Sequence, residues 1–115
     1  MISIAILASG TSSERDIAIQ SAGEVQKYLD TKKYKVTFFD FPNDLQKFLE
    51  HYKTFDIALP IFHGSCGKDG TVQGFLETLG IHYTFSGVAT HALAIDKHRT
   101  KVLCAAAGMS VPRGV

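Results

Sequence analysis

Ile57-Ala58-Leu59-Pro60-Ile61-Phe62-His63-Gly64-Ser65-Cys66-Gly67-Lys68-Asp69-Gly70 joins an apolar run to a run with helical spacing that begins at Thr71. The apolar half reads as a buried strand and the glycine-rich half as the turn that hands it to a helix. Three glycines within His63–Gly70 let the backbone bend sharply and approach a ligand closely. A His, a Lys and an Asp in that turn would lie at the carboxyl end of a strand, where open α/β sheets bind ligands.

The same grammar repeats on either side. Ile2–Leu7 is short, apolar and rich in isoleucine, and it ends in Ala8-Ser9-Gly10, so it reads as a buried parallel strand and a tight turn. Ala18, Ala22, Val25 and Leu29 then recur at helical spacing, with Arg15, Glu24 and Lys27 outward. Ser13 with Asp16 resembles a capping box, and Thr31-Lys32-Lys33 closes the helix. Tyr34–Phe41 is β-branched and aromatic, a second strand. After Pro42-Asn43-Asp44, the spacing of Leu45, Phe48, Leu49 and Tyr52 predicts a short amphipathic helix.

Downstream, Val72, Phe75, Leu76 and Leu79 give a helix that Gly80 stops. Ile81–Phe85 is expected to form a short fourth strand, and Val88–Ile95 is an Ala-rich segment. Asp96 caps a last helix through Ala107, before Gly108. Strands alternating with helices imply a three-layer α/β/α domain with a small, mostly parallel sheet of about four strands.

Composition narrows the function. A chain of 115 residues that is 45% hydrophobic suits one packed domain. A formal charge of +1 offers no electrostatic case for nucleic acid or an anionic membrane surface. No apolar run is long enough to span a bilayer. The N-terminus lacks a basic leader, and Cys66 and Cys104 form no pair motif, so a reducing, cytoplasmic setting is expected.

Three stretches carry chemistry. Ser9–Arg15 joins the first strand to the first helix, where exposed N–H groups and the helix dipole can hold an anion. It is neither a dinucleotide fingerprint nor a Walker loop, and a solvated turn with capping hydroxyls is the plainer reading. Glu14 in that turn is a carboxylate placed to hold a ligand ammonium group. His63 reads as a general base, a ligand-orienting donor, a metal ligand or a strand-end cap. A serine hydrolase lacks its nucleophile elbow, and the histidines have no zinc-ligand spacing. Lys97, Arg99 and Lys101 place positive charge at the last helix's start, which suits either phosphate binding by Lys97 or a solvated basic face.

Together these stretches resemble the N-terminal domain of the D-alanine–D-alanine ligases, a Rossmann-like pre-ATP-grasp domain. The resemblance rests on Ser12-Ser13-Glu14-Arg15 with Gln20-Ser21-Ala22, and on His63-Gly64-x-x-Gly67-x-Asp69-Gly70-Thr71-x-Gln73-Gly74. It continues through Leu79-Gly80-Ile81-x-Tyr83-Thr84, Ser86-Gly87-Val88, Ala92-Leu93-Ala94-x-Asp96-Lys97-x-x-Thr100-Lys101 and Ala107-Gly108. Two positions depart from the family pattern. Lys68 stands where the family usually has Glu, and Ala8-Ser9-Gly10 stands where it tends to have adjacent glycines.

The resemblance implies a ligase for peptidoglycan synthesis that phosphorylates one D-alanine from ATP and lets the amine of a second attack the acyl phosphate. On that resemblance Glu14 holds the first D-alanine's ammonium group, Ile17 lies against that substrate, and His63 is near the carboxyl group that is phosphorylated. Lys97 approaches the ATP phosphates, Mg2+ or Mn2+ is held by other domains, and the protein pairs as a homodimer. Residues 1–110 would be the substrate-binding domain, with 111–115 starting a linker to ATP-grasp domains outside these 115 residues. The isolated chain is therefore expected to be inactive. Its rivals are a ligase for a D-hydroxy acid or related acceptor and a non-catalytic α/β binding or dimerisation module.

Overall fold

The computed structural model describes residues 1–9, 13–62 and 68–113. Its centre is β1 (Ile2–Ser9), flanked in parallel by β2 (Tyr34–Phe41) and β3 (Ile57–Ile61) in the order β2-β1-β3. The register pairs Ile2 with Tyr34 through Ser9 with Phe41, and Ile4 with Ile57 through Ala8 with Ile61. The helices are α1 (Arg15–Tyr28), α2 (Leu45–His51), α3 (Thr71–Leu79), α4 (Val88–Ala94) and α5 (Lys97–Ala106). A 3-10 turn, Tyr52–Thr54, follows α2.

The uninterrupted apolarity of β1 follows from its position, since a central strand is covered on both faces. Ala5 and Leu7 face one layer with Phe39, Phe41, Phe48, Ala58, Phe62, Val72, Leu76 and Ile81. Ile4, Ile6 and Ala8 face the other with Ala22, Val25 and Leu29 of α1 and its C-terminal turn. The two-residue period of a strand thus divides one sequence run between two cores, and the three-layer α/β/α arrangement stands. On one side, Phe48 meets Phe39 edge-on at 5.3 Å and Phe41 at 5.6 Å between ring centroids. On the other, α1 buries only the small side chains Ala18 and Ala22.

Three expectations change in detail. The segment Ile81–Phe85 contributes one bridge, between Ala58 and Tyr83, rather than a full fourth strand. Its bonds are Ala58 N–H to His82 O at 2.8 Å and Thr84 N–H to Ala58 O at 3.1 Å. The segment is pinched between Gly80 and Phe85, both left-handed, which leaves too little extended chain for a longer ladder. The capping box at Ser13 is not formed: Glu14 occupies the N-cap of α1 with no side-chain cap. In α2 only Phe48 is buried, because Leu45 and Leu49 point outward. The Ala-rich segment and the last helix form α4 and α5, neither of which contains a fully buried residue. Gly80 and Asp96 do act as read: Gly80 ends α3 at φ 74°, and Asp96 Oδ1 accepts the Arg99 N–H at 2.9 Å.

Phe85 has φ 74° and is 69% exposed. A left-handed conformation costs a side-chain-bearing residue about 1–2 kcal/mol, and so exposed a ring recovers little of it by burial. Phe85→Gly is therefore expected to raise the free energy of unfolding by roughly 0.5–1 kcal/mol after the extra chain entropy of glycine is counted. Urea unfolding followed by circular dichroism measures it, and a destabilised variant would show that the ring makes contacts beyond those described.

Candidate functional site

Because β1 and β3 run parallel and pair Ala8 with Ile61, their carboxyl ends reach the same edge of the sheet. The described starts of α1 and α3, with Glu14 and Asp69, thus each follow a strand that ends at that edge, where open α/β sheets bind ligands. Glu14 stands at the first of these starts. It is exposed, and its carbonyl accepts the Ala18 N–H at 3.1 Å, which starts α1. Ile17 lies one turn further on, 54% exposed. An i, i+3 pair shares one face of a helix, so Glu14 and Ile17 offer a carboxylate beside an apolar patch.

At the second start, Asp69 Oδ1 accepts the Thr71 N–H at 3.0 Å, and Lys68 is exposed. Asp69 thus forms a tight turn just ahead of α3, whose N-cap is Gly70 with no side-chain cap. Gly70 is buried at φ 97°, where a Cβ would come within 2.7 Å of the Val88 carbonyl oxygen. That close approach seats α3 against α4. His63, together with Cys66, lies outside the described residues. Lys97 opens α5 directly after the Asp96 cap and is exposed. It rides on a helical hairpin, since α5 packs chiefly on α4.

Two features escaped the sequence reading. The first is an ion pair: Arg15 Nη1 and Nη2 donate to the two carboxylate oxygens of Asp40 at 2.8 and 2.6 Å. These bonds hold the Arg15 guanidinium above its already high ordinary pKa. A lone acid inside Phe38-Phe39-Asp40-Phe41 was the available signal. The second is a cavity of about 650 Å³ between α1, β3, α3 and α4, lined by Val25, Leu59, Ile61, Gln73, His91 and Ile95 among others. Lys68 and Phe85 also line it, whereas Glu14, Ile17 and Lys97 do not.

Elsewhere, Tyr83 O–H donates to Glu77 Oε1 at 2.7 Å, which raises the phenol's pKa. Among the described residues no three His, Cys, Asp or Glu side chains gather to hold a metal ion. No described helix is long and apolar enough to cross a membrane.

The family model described as "D-ala D-ala ligase N-terminus" matches residues 40–86. The D-alanine–D-alanine ligase of Azorhizobium caulinodans is 45% identical over 111 residues, covering 96% of this chain and 36% of that protein. The Bacillus anthracis D-alanine–D-alanine ligase, solved in complex with ATP, superposes with a TM-score of 0.87 at 33% identity, over 98% of this chain and 38% of that one. The VanG D-Ala:D-Ser ligase of Enterococcus faecalis superposes with a TM-score of 0.80 at 25% identity, over 97% and 43% respectively. The chain thus spans a little over a third of the length of the curated relatives it matches. Fold and sequence likeness along nearly the whole chain agree, and the chain belongs to the D-alanine–D-alanine ligase family, matching its N-terminal part.

Proposed function

We propose that this domain supplies the first-substrate wall of a cytoplasmic ligase that joins two D-alanine molecules at the expense of ATP. The observation that carries the reading is Glu14, an exposed carboxylate at the α1 N-terminus on the carboxyl edge of a parallel sheet. A carboxylate there matches the ammonium group of an amino acid by a charge-assisted hydrogen bond. Ile17 lies against the small side chain of the same substrate, and His63 takes a place near its carboxyl group. Lys97 directs positive charge toward the ATP phosphates.

The reaction divides into two transfers. The γ-phosphoryl group passes from ATP to the carboxylate of the first D-alanine, leaving ADP. The amine of the second D-alanine then attacks the acyl carbon, loses a proton and expels phosphate. In such chemistry the protein's contribution is mostly positioning and charge stabilisation, which suits a wall that holds one substrate by its ammonium group. Mg2+ or Mn2+ would neutralise phosphate charge from carboxylates outside the residues described here, and two copies would pair through this domain.

The full-length protein is expected to release phosphate from ATP only when D-alanine is present, with the dipeptide as product. Phosphate release indifferent to D-alanine would refute the reading. Lys97→Ala should raise the KM for ATP about tenfold, the effect of losing one charged contact, with little change in the KM for D-alanine. An unchanged KM for ATP returns Lys97 to a solvated helix face. The likeness to a D-Ala:D-Ser ligase supports a second reading, in which the acceptor is another small D-amino or D-hydroxy acid. Assaying D-serine and D-lactate beside D-alanine separates the two.

A further inference from the structure

The start of α1 has an unusual anchorage. Its N-cap, Glu14, makes no side-chain cap, and its first turn presents Ile17 and Ile19 to solvent, with burial resting on Ala18 and Ala22. Small buried side chains let a helix lie close to a sheet but do little to fix its rotation. Arg15 also carries positive charge at a helix N-terminus, where the dipole disfavours it. Asp16 in the same turn offsets part of that charge, and the direct partner lies 25 positions away in the chain.

That partner is itself held. The Asp40 N–H donates to Asp44 Oδ2 at 2.9 Å, and the Asp44 N–H donates to the Asp40 carbonyl at 2.7 Å. Asn43 Nδ2 approaches Asp40 Oδ2 at 3.4 Å. Asp40 is thus fixed near the end of β2 by the turn that follows, and the two parallel bonds from Arg15 transmit that fixity to the first residue of α1. A bidentate guanidinium–carboxylate pair restricts orientation as well as distance, which a lysine at the same place does not. Side-chain exposures of 34% for Arg15 and 27% for Asp40 leave the pair partly shielded from water.

We propose that Arg15 and Asp40 form a positioning pair that sets the direction in which the adjacent Glu14 presents its carboxylate to the substrate ammonium group. The inference rests on the function proposed above for Glu14. It makes Arg15 a residue that acts through its neighbour rather than by touching the substrate. It also accounts for a long-range ionic anchor at a helix start whose N-cap residue, Glu14, makes no side-chain cap.

Steady-state kinetics of the full-length protein test it, with Arg15→Lys, Asp40→Asn and Glu14→Gln made singly and Arg15→Lys combined with Glu14→Gln. Arg15→Lys and Asp40→Asn should each raise the KM for the first D-alanine about tenfold and leave the KM for ATP unchanged. Adding Arg15→Lys to Glu14→Gln should cost little more than Glu14→Gln alone, because both remove the same contact. Thermal melts of each variant accompany the kinetics. A lowered midpoint with an unchanged KM for D-alanine makes the pair merely structural and overturns the proposal, as does full additivity in the double variant. If Glu14→Gln alone leaves that KM unchanged, the assignment of Glu14 falls and the positioning role falls with it. If Glu14→Gln raises KM and the pair variants do not, only the positioning role falls.

Discussion

Phe48→Ala is expected to destabilise the domain by about 4 kcal/mol. Phe48 is completely buried, and its ring lies edge-on to Phe39 at 5.3 Å and Phe41 at 5.6 Å, with Phe55 and Phe75 at 6.4 and 6.2 Å. Truncation loses the transfer energy of the ring, leaves a cavity, and breaks aromatic pairs worth about 0.5–1.5 kcal/mol beyond their area. The surrounding rings come from β2, α3 and the segment before β3, so no single element can move in to fill the void. Set against a typical domain stability of about 5–15 kcal/mol, such a loss approaches global unfolding. Leu49→Ala, one residue on but 41% exposed, should cost under about 1 kcal/mol. Urea melts of the two variants make the comparison, and equal losses would mean that α2 is docked by its other face.

Gly70→Ala is the second large effect, about 3 kcal/mol or more, and its cause is different. The left-handed φ of 97° accounts for about 1–2 kcal/mol. The remainder comes from the Cβ, which would sit 2.7 Å from the Val88 carbonyl oxygen and 3.3 Å from Val88 Cγ1. The oxygen belongs to backbone at the start of α4, so no rotamer change relieves the clash and α3 and α4 must part. Gly80→Ala separates the two causes. Gly80 is also left-handed, at φ 74°, but a Cβ there meets nothing within 4 Å, so strain alone should appear. Denaturant midpoints for both variants give the difference, and equal destabilisation would remove the Gly70–Val88 contact from the explanation.

What was legible in the sequence was whatever is periodic or local. The apolar run of β1, the spacing of Ala18 and Ala22, the stop at Gly80 and the cap at Asp96 all express constraints within a few residues, and each appears as read. What was not legible depends on partners distant in the chain. Arg15 looked like a solvated helix residue because Asp40 is 25 positions away. Leu45 and Leu49 matched an amphipathic stripe, yet burial there depends on how α2 is rotated by the single anchor Phe48. The fourth strand shrank to one bridge because left-handed Phe85 ends it, a conformation that no propensity assigns to phenylalanine. For the site, the helix starts with Glu14 and Asp69 each follow a strand that ends at one edge of the sheet. His63 lies outside the described residues, and Lys97 is carried on the separate α4–α5 hairpin.

The most direct test of the domain's role is D-alanine saturation of the full-length protein with Glu14 intact and with Glu14→Gln. Loss of the carboxylate charge opposite an ammonium group should raise the KM for the first D-alanine by about tenfold or more, while the KM for ATP stays where it was. An unchanged KM for D-alanine in a folded Glu14→Gln protein would contradict the assignment of this sheet edge as the wall that holds the first substrate.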